Sequence, residues 1–234
     1  MKILGIDTTT KFLCLGIYDN SKIYEYNLEV GIRLSSLLSI TIKRALDALG
    51  WKANDVDYLA CGLGPGSFTG VRVGLATIKG MSWALNKPII GISTLDILAK
   101  NVQNSDAQIV PIVDAKRNLV YSSVYRNKGG RLIRTKPYML LTIDEFFQKV
   151  KTNAIILGDA AGLYKDEILM NIKGAIILGK DDWYPKAHSI MELALERIKK
   201  KKFNSPFEVK PIYLYPKECQ IRKTVTSKLV TSNS

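Results

Sequence analysis

The chain has 234 residues, 47% of them hydrophobic and 24% charged, an ordinary composition for a globular protein of one large or two small domains. No run of about 18 apolar residues occurs, which excludes a membrane-spanning helix, and the apolar start reaches Asp7 too early for a secretory signal. Cys14 and Cys61 lie among apolar residues and are expected in the core, whereas Cys219 has no partner at a disulfide or metal-ligand spacing. This sparse cysteine usage favours a reducing compartment, and we expect the protein in the cytoplasm.

The net charge of +13 is concentrated in the second half of the chain. Residues 1–107 contain 11 basic and 9 acidic side chains, a balance of +2, whereas residues 108–234 contain 23 and 12, a balance of +11. The densest basic run extends from Glu196 to Lys202. Such a patch attracts nucleic acid or another polyanion, but lysines at the end of a helix also form an ordinary solvated surface. Both interpretations stay open.

The chain begins with three segments rich in β-forming residues, at 2–7, 12–18 and 23–29. The turns between them are short, so we expect an antiparallel meander. The next segment repeats apolar residues at helical spacing and predicts a helix over 33–49, which Gly50 ends.

A strand at 58–63 follows, and after a glycine-rich turn a second helix is predicted over about 70–86. A strand at 88–93 comes next. Ser93 and Asp96 then have the spacing of a capping box, which predicts the start of a third helix. The first half therefore reads β-β-β-α-β-α-β-α.

The second half partly repeats this order after a polar stretch at 101–108, which we interpret as a domain boundary. Strands are predicted on both sides of a tight turn within 109–126, and a further strand within 131–140. Thr142 and Glu145 have capping-box spacing and predict a helix start.

The remaining elements complete the repeat. A strand, a turn and a helix are predicted over 154–169, with Gly158 and Asp159 at the turn, and a further strand at 175–179. A long helix, a short strand-like piece at 210–216 and a polar, cationic tail that we expect to fray follow. The sequence thus predicts a duplicated β-β-β-α-β-α-β-α unit in two α/β domains, 1–105 and 106–234, with a cleft between them.

The glycine-rich turn, "GLGPGSFTGVR", lies between a strand and a helix, where such turns often bind phosphate. A P-loop requires Lys-Ser/Thr after its glycines, and none is present. The dinucleotide fingerprint has a different glycine spacing and no preceding antiparallel meander. Pro65 also removes a backbone N–H that a phosphate would use. Both nucleotide interpretations are therefore disfavoured for the turn, which comprises Gly64, Pro65, Gly66, Ser67, Phe68 and Thr69.

Small residues recur on the helix after this turn. Ala76, Gly80 and Ala84 form one row at intervals of four, and Gly70 and Gly74 form a second. Glycine inside a helix costs about 1 kcal/mol relative to alanine, so a neighbouring backbone is expected to approach closely. That neighbour is either the preceding helix of the same domain or another protein chain.

The turn Asp7-Thr8-Thr9-Thr10 joins the first two strands. In two-domain nucleotide-binding folds such a turn contacts phosphate through hydroxyls and N–H groups, but an ordinary Asx turn has the same composition. The single histidine, His188, excludes a histidine metal cluster and is expected at a helix start on the surface. Asp114 and Asp159 are carboxylates without an evident partner. We therefore predict no catalytic residue and no metal site.

Four segments together carry a resemblance to a known family: "ILGIDTTT", "GLGPGSFTGVRVGLA", "PIIGISTLD" and "PIVDAKRNLVYSSVY". They resemble the TsaB (YeaZ) family, bacterial proteins of tRNA threonylcarbamoyladenosine biosynthesis. The resemblance is strong from residue 1 to about 126 and weaker to about 216, where "KPIYLYP" is similar to the family's Pro-x-Tyr-Leu-Arg segment.

The resemblance implies the two-domain actin/hexokinase/Hsp70-like (ASKHA) fold and a role as non-catalytic scaffold and activator. In the family, the larger paralog TsaD transfers a threonylcarbamoyl group to the adenosine next to the anticodon of tRNAs that read ANN codons. A small ATPase, TsaE, joins the complex, and the TsaB-like chain contacts tRNA only indirectly. A homodimer of the isolated chain is a further expectation. The resemblance implies no required cofactor, with weak ATP or ADP binding in the complex as an option.

The same resemblance implies that the helices over 33–49 and 70–86 dock on the paralog. The interface residues that it suggests are Leu34, Leu37, Leu38, Thr41, Gly70, Arg72, Val73, Gly74, Thr77, Gly80 and Met81. The turn from Asp7 to Thr10 is the candidate nucleotide contact.

Three positions depart from the family pattern. The family often has His-Ser where this chain has Leu34-Ser35, a proline where it has Ser39, and an arginine where it has Tyr215. Two rival functions stay open. One is a nucleotide-dependent enzyme of the same fold, a phosphotransferase or glycoprotease-like peptidase, and the other is a tRNA-binding module suggested by the basic second half.

Overall fold

The computed structural model describes residues 1–102 and 105–216. The predicted cationic tail, with Cys219, and two residues of the predicted boundary at 101–108 lie outside the described residues. Within these two ranges, none of the helices is both long and apolar enough to span a bilayer.

The first half forms a five-stranded sheet in the order β3-β2-β1-β4-β5. The strands are β1 (Lys2–Asp7), β2 (Phe12–Asp19), β3 (Lys22–Glu29), β4 (Tyr58–Gly62) and β5 (Ile89–Ile92). The predicted meander is confirmed, since β1, β2 and β3 pair antiparallel, and β4 and β5 extend the sheet in parallel with β1. The helices are α1 (Leu34–Asp47), α2 (Phe68–Leu85) and α3 (Thr94–Lys100).

The second half forms a sheet in the corresponding order β10-β7-β6-β11-β12. Its strands are β6 (Gln108–Lys116), β7 (Leu119–Ser122), β8 (Tyr125–Lys128), β9 (Arg131–Arg134), β10 (Met139–Thr142), β11 (Ala154–Leu157) and β12 (Ile176–Ile177). The helices are α4 (Ile143–Lys149), α5 (Ala160–Leu163), α6 (Lys165–Asn171) and α7 (Ala187–Lys199). The predicted capping box of Thr142 and Glu145 is present at α4.

The two sheets confirm the predicted duplication and the fold of the actin/hexokinase/Hsp70 type. Strand β6 corresponds to β1, because each pairs antiparallel with the next strand and parallel with the strand that follows a helix. The hairpin of β8 and β9 has no counterpart in the first sheet, and it joins the second sheet only through the pair of Ile109 and Tyr125. The strand predicted over 131–140 is therefore two strands in different places.

Strands β1, β2, β4 and β5 of the first sheet are buried on both faces, since alternate side chains point to opposite sides and helices cover each side. On β1, Leu4 and Ile6 pack with α1 and α2, whereas Ile3 packs with Ile190 and Met191 of α7. Cys14 and Cys61 lie in these two core clusters, as predicted. Burial raises the pKa of both thiols well above the usual range.

Helices α3 and α7 lie between the two sheets, and each packs mainly on the sheet of the other half. Leu95 and Leu98 of α3 pack with Ile109 and Val113 of β6, while α7 packs on the first sheet. The division of the chain into two domains at residue 105 stays a prediction. Helix α7 comes after that residue in the chain but packs on the first sheet.

The Asp96 carboxylate of α3 bonds to side chains of the second half. The prediction that Asp96 forms a capping box with Ser93 is therefore wrong. Ser93 caps α3 by accepting from the Leu95 N–H, at 3.2 Å. The Asp96 carboxylate instead accepts from the hydroxyls of Tyr125 and Tyr138, at 2.8 and 2.9 Å. Sequence spacing predicts the helix start correctly but does not show that tyrosines of the other half bind the acid.

The segment at 210–216, predicted as a strand, pairs with neither sheet along its length. Its Ile212 N–H donates to the Leu63 carbonyl at 2.8 Å, and Val209 before it is buried in the first core. The segment therefore runs as extended chain along the glycine turn.

Candidate functional site

The turn between β1 and β2 is buried in the interior of the protein, except for Thr10 and Lys11. The Asp7 carboxylate accepts from the Thr9 N–H and hydroxyl, at 2.8 and 2.7 Å, and from the Thr94 hydroxyl at 2.8 Å. The Thr8 hydroxyl donates to the Gly70 carbonyl at 2.7 Å. Asp7, Thr8 and Thr9 are each at most 2% exposed. The polar groups of this turn are therefore satisfied within the chain.

Four glycines at intervals of four residues pack directly against this turn. A Cβ atom at Gly62 would overlap the Asp7 carboxylate, and one at Gly70 or Gly74 would overlap Thr8. At Gly66 it would lie 2.5 Å from the Thr9 carbonyl oxygen. Because no side chain larger than hydrogen fits, we call Gly62, Gly66, Gly70 and Gly74 the inward glycine row.

The glycine turn itself connects β4 to α2. The Gly64–Pro65 peptide is cis, and the Gly64 carbonyl accepts from the Thr94 N–H at 2.8 Å. The Ser67 N–H donates to the Thr9 carbonyl at 2.7 Å, and the Ser67 hydroxyl caps α2 by accepting from the Gly70 N–H at 3.2 Å. These bonds hold the first turn of α2 against the β1–β2 turn.

Burial raises the pKa of Asp7 above its usual range, since desolvation outweighs the hydrogen bonds that it accepts. With both oxygens bonded within the chain, Asp7 has no side exposed to a metal or phosphate. Asp7 and Thr8 are buried against the inward glycine row, and nucleotide contact of this turn stays a prediction. Thr9 and Thr10 do line the neighbouring cleft.

A cleft of about 630 Å³ separates the β1–β2 turn from the equivalent β6–β7 turn of the second sheet. Its lining includes Lys11, Lys116 and Arg117 as cations and Asp114 and Asp159 as acids. The Asp114 carboxylate contacts the Lys116 ammonium at 2.5 Å, and Asp159 accepts from the Asp114 N–H at 2.9 Å. Burial raises the pKa of Asp159. The two acids thus have partners within the chain.

Metal-ligating side chains are dispersed in the described part of the chain. Among the described residues, no group of three or more His, Cys, Asp and Glu side chains could hold a metal ion. His188 lies on α7, where its N–H donates to Glu25 at 2.7 Å, and its Nδ1 is 3.3 Å from the same carboxylate. It lies at the start of the helix, half-buried, as the sequence predicted.

The opposite side of α2 is largely exposed, and it is flanked by the cations Arg72 and Lys79. It presents Val73, Ala76, Gly80, Trp83 and Ala84, which we call the outward face of α2. Trp83 is 72% exposed, and no atom lies within 4 Å of a Cβ atom placed on Gly80. A large exposed aromatic side chain among small neighbours is typical of a protein-interaction surface.

A groove of about 500 Å³ between α1 and α2 adjoins this face. It is lined by Thr77 and Met81, which are neighbours of Val73 and Gly80 on the helix surface, and by Ser39 and Lys43 of α1. The groove and the outward face together form one surface along the two helices.

Comparison with known proteins identifies the family. The family model for TsaD, tRNA N6-adenosine threonylcarbamoyltransferase, matches residues 31–165, more than half of the chain. The chain is 30% identical over 182 residues to the tRNA threonylcarbamoyladenosine biosynthesis protein TsaB of Bacillus subtilis, covering 75% of this chain and 80% of that protein. The chain belongs to the TsaB family.

Other TsaB proteins agree with this assignment. The Escherichia coli protein of that name is 24% identical over 220 residues, covering 92% of this chain and 94% of that protein. The solved structure of YeaZ from Pseudomonas aeruginosa has a TM-score of 0.78 at 21% identity, covering 91% of this chain and 99% of that chain. This structure supports the fold.

The structure divides the interface residues that the TsaB resemblance suggested. Leu34 and Leu38 are 7% and 1% exposed in the core, and Gly70 and Gly74 belong to the inward glycine row. These four residues pack within the chain, and their contact with a partner stays a prediction. The residues that retain exposed or half-buried surface are Leu37, Thr41, Arg72, Val73, Thr77, Gly80 and Met81.

Two departures from the TsaB pattern have structural explanations. Leu34, in place of histidine, is part of the core beneath α1. Tyr215, in place of arginine, donates its hydroxyl to the Ala115 carbonyl at 2.8 Å and packs edge-on against Tyr121. The tyrosine therefore makes a polar contact of its own to the β6–β7 turn. Nothing in the structure explains Ser39.

Two features of the site are missed by sequence reasoning. Trp83 could have been found, since it lies three residues after Gly80 and one before Ala84 on the same helical face. The second is not Arg72 itself but its contacts: its Nε donates to the Tyr213 hydroxyl at 2.9 Å, and its guanidinium stacks 3.6 Å from the Phe68 ring centroid. The 141-residue separation of Arg72 and Tyr213 leaves no sequence signal for this pair.

Proposed function

We propose that this chain is a non-catalytic subunit that docks on a larger, TsaD-like threonylcarbamoyl transferase and activates it. The modification would be threonylcarbamoyladenosine, next to the anticodon of tRNAs that read ANN codons. A small TsaE-like ATPase would join the complex, in the cytoplasm. The observation that carries this proposal is the outward face of α2, an exposed surface of small residues around Trp83 on a helix that is held firmly from the other side.

Rigid support matters for docking because a preorganised surface loses less conformational entropy when it binds. Helix α2 has that support, since the inward glycine row, the Ser67 cap and the Thr8 hydroxyl hold it on the β1–β2 turn. The small residues on the outward face let another helix approach closely, and Trp83 supplies the large apolar area expected of an interface anchor.

The chemistry of the β1–β2 turn also favours an accessory role over a nucleotide-dependent enzyme. A phosphotransferase of this fold needs an acid available to a metal or phosphate, whereas Asp7 is buried and bonded to Thr9 and Thr94. The proposal requires no cofactor in this chain, and ATP or ADP would bind at most weakly in the complex.

Reconstitution tests the proposal. The purified TsaD-like paralog of the same organism is incubated with unmodified tRNA and a threonylcarbamoyl donor, with and without this chain, and the modified nucleoside is quantified by mass spectrometry. We expect activity of the paralog to rise at least tenfold with this chain and to fall back with Trp83→Ala. An isolated chain that modifies tRNA or hydrolyses nucleotide, with loss in Asp7→Ala, would overturn the non-catalytic role. A paralog equally active without this chain would overturn activation.

The same surface explains the expected homodimer of the isolated chain. If two copies associate through the outward face of α2, the paralog competes with self-association. Light scattering would then report a dimer that dissociates in Trp83→Ala and when the paralog is added, whereas a dimer insensitive to both uses another face.

A further inference from the structure

The hairpin of β8 and β9 is the most concentrated basic element that the structure describes outside the end of α7. Residues 125–136, which we call the basic hairpin, contain five cations and no acid: Arg126, Lys128, Arg131, Arg134 and Lys136. The hairpin is an addition to the duplicated fold, since the first sheet has no equivalent. Core packing of the second sheet therefore does not account for its charge.

The strand register places three of these cations on one face. Arg126 pairs with Ile133, and Lys128 pairs directly with Arg131, so their side chains point to the same side. Tyr125 and the half-buried Leu132 lie on the opposite side, toward α3. Like charges directly opposite one another destabilise a hairpin unless an anion lies between them.

No anion of the described chain fills that role on the exposed face. Within residues 1–102 and 105–216, Arg134 is the one hairpin cation near a carboxylate, at 4.0 Å from Asp96. Gly129 and Gly130 form the tip with φ of 55° and 73° and have open space around them. A side chain at either position would hinder close approach of a ligand backbone, and none is present.

The basic surface continues beyond the hairpin. Asp96 also binds the guanidinium of Arg197, at 3.5 Å, so Arg134 and Arg197 meet at one carboxylate. The exposed lysines 199–202 follow Arg197 closely. The hairpin and the end of α7 thus meet at Asp96, although Arg134 lies on the opposite side of the hairpin from Arg126, Lys128 and Arg131.

We propose that the basic hairpin is an RNA-binding element that contacts the phosphate backbone of the tRNA. Protein interfaces are depleted in lysine and have an apolar centre, whereas phosphate backbones are bound by repeated exposed cations such as these. The choice of tRNA as the RNA rests on the proposed function. The contact itself depends on the charge and register of this chain alone.

A matched pair of triple variants tests the proposal. The hairpin variant carries Arg126→Gln, Lys128→Gln and Arg131→Gln, and the control carries Lys149→Gln, Lys165→Gln and Lys173→Gln, which remove the same charge from exposed positions elsewhere in the second half. Affinity of the isolated full chain for unmodified tRNA is measured by fluorescence anisotropy over a range of salt, from about 50 mM upward. Thermal unfolding checks that all three proteins fold alike.

We expect the hairpin variant to bind tRNA at least tenfold more weakly at low salt and the control to bind within about twofold of the unaltered chain. The slope of log K against log salt is negative, and it should become less steep by about one for each phosphate group that the variant no longer neutralises. Equal weakening in both variants, or no tRNA affinity of the unaltered chain at low salt, would overturn the proposal. So would unchanged tRNA affinity of the hairpin variant, and weaker binding of that variant to the paralog in a separate titration would then assign the hairpin to an acidic protein surface. The outcome is independent of the activation test, because no paralog is needed for tRNA binding here.

Discussion

Glycines occur on both sides of helix α2, and the two sides show opposite reasons for the same residue. In the inward glycine row, Gly70 and Gly74 leave room for Thr8, and any larger residue would overlap it. On the outward face, Gly80 has nothing within 4 Å of a Cβ atom. A small residue in contact is thus explained by packing within the fold, whereas a small residue in open space needs another explanation, and a partner supplies one.

The largest expected effect is a difference in the free energy of unfolding between substitutions on the two sides of α2. Gly70→Ala should lower the free energy of unfolding by about 3 kcal/mol, because its methyl group overlaps the Thr8 carbonyl oxygen. The matched control, Gly80→Ala, should raise it by up to about 1 kcal/mol through helix propensity. Urea unfolding of both variants measures the difference. Equal stability of the two would contradict the assignment of the inward row.

The next effect concerns the outward face. Trp83→Ala should weaken binding of the TsaD-like paralog about 30-fold, as expected for an aromatic anchor, and change the unfolding free energy by less than about 0.5 kcal/mol. Met170→Ala on α6, where the side chain is 78% exposed, is the control for removing an exposed apolar side chain. Titration calorimetry and urea unfolding check the pair. If Met170→Ala weakens binding as much, α2 is not the preferred surface.

A smaller effect is the pH dependence of the free energy of unfolding, which tests the burial of Asp7 beside the inward glycine row. Because burial raises the pKa of Asp7 above 3.8, the folded chain binds this proton more tightly than the unfolded chain. The stabilisation is complete below 3.8 and is lost as the pH rises through the raised pKa. Asp7→Asn is neutral throughout, so its stability relative to the unaltered chain should increase as the pH rises from about 4 to about 7.

The control for this pH series is Asp181→Asn, which removes one exposed charge. Urea unfolding at several pH values follows both variants. A relative stability of Asp7→Asn that decreases with rising pH would show that the folded chain favours the Asp7 carboxylate, against the burial argument.

Much of the fold could be predicted because hydrophobic periodicity reports local structure. The strands of the first meander, α1 and α2 all lie within a few residues of their predicted bounds. Periodicity shows that a helix has an apolar face but not which sheet that face covers. The sequence therefore does not predict that α3 packs on the second sheet and α7 on the first. The strand predicted at 210–216 failed because alternating apolar residues also suit an extended chain that covers a cleft.

The site was less predictable because its central contacts join distant residues. The spacing of four in the glycine block suggested close packing, but its partner, the β1–β2 turn, lies more than 50 residues earlier. The resemblance includes Leu34 and Leu38 among the interface residues because it assigns the whole helix over 33–49 to the docking surface. Only the packing of α1 on the sheet distinguishes its buried side from its exposed side.

The central claim is that α2 is held from one side in order to dock from the other. Binding of Gly80→Leu to the TsaD-like paralog, measured by titration calorimetry beside its unfolding free energy, tests it most directly. The account predicts a dissociation constant at least tenfold higher, about 1.4 kcal/mol, with the unfolding free energy not lowered and raised by at most about 1 kcal/mol through helix propensity. A folded Gly80→Leu protein that binds the paralog as tightly as the unaltered chain would contradict it.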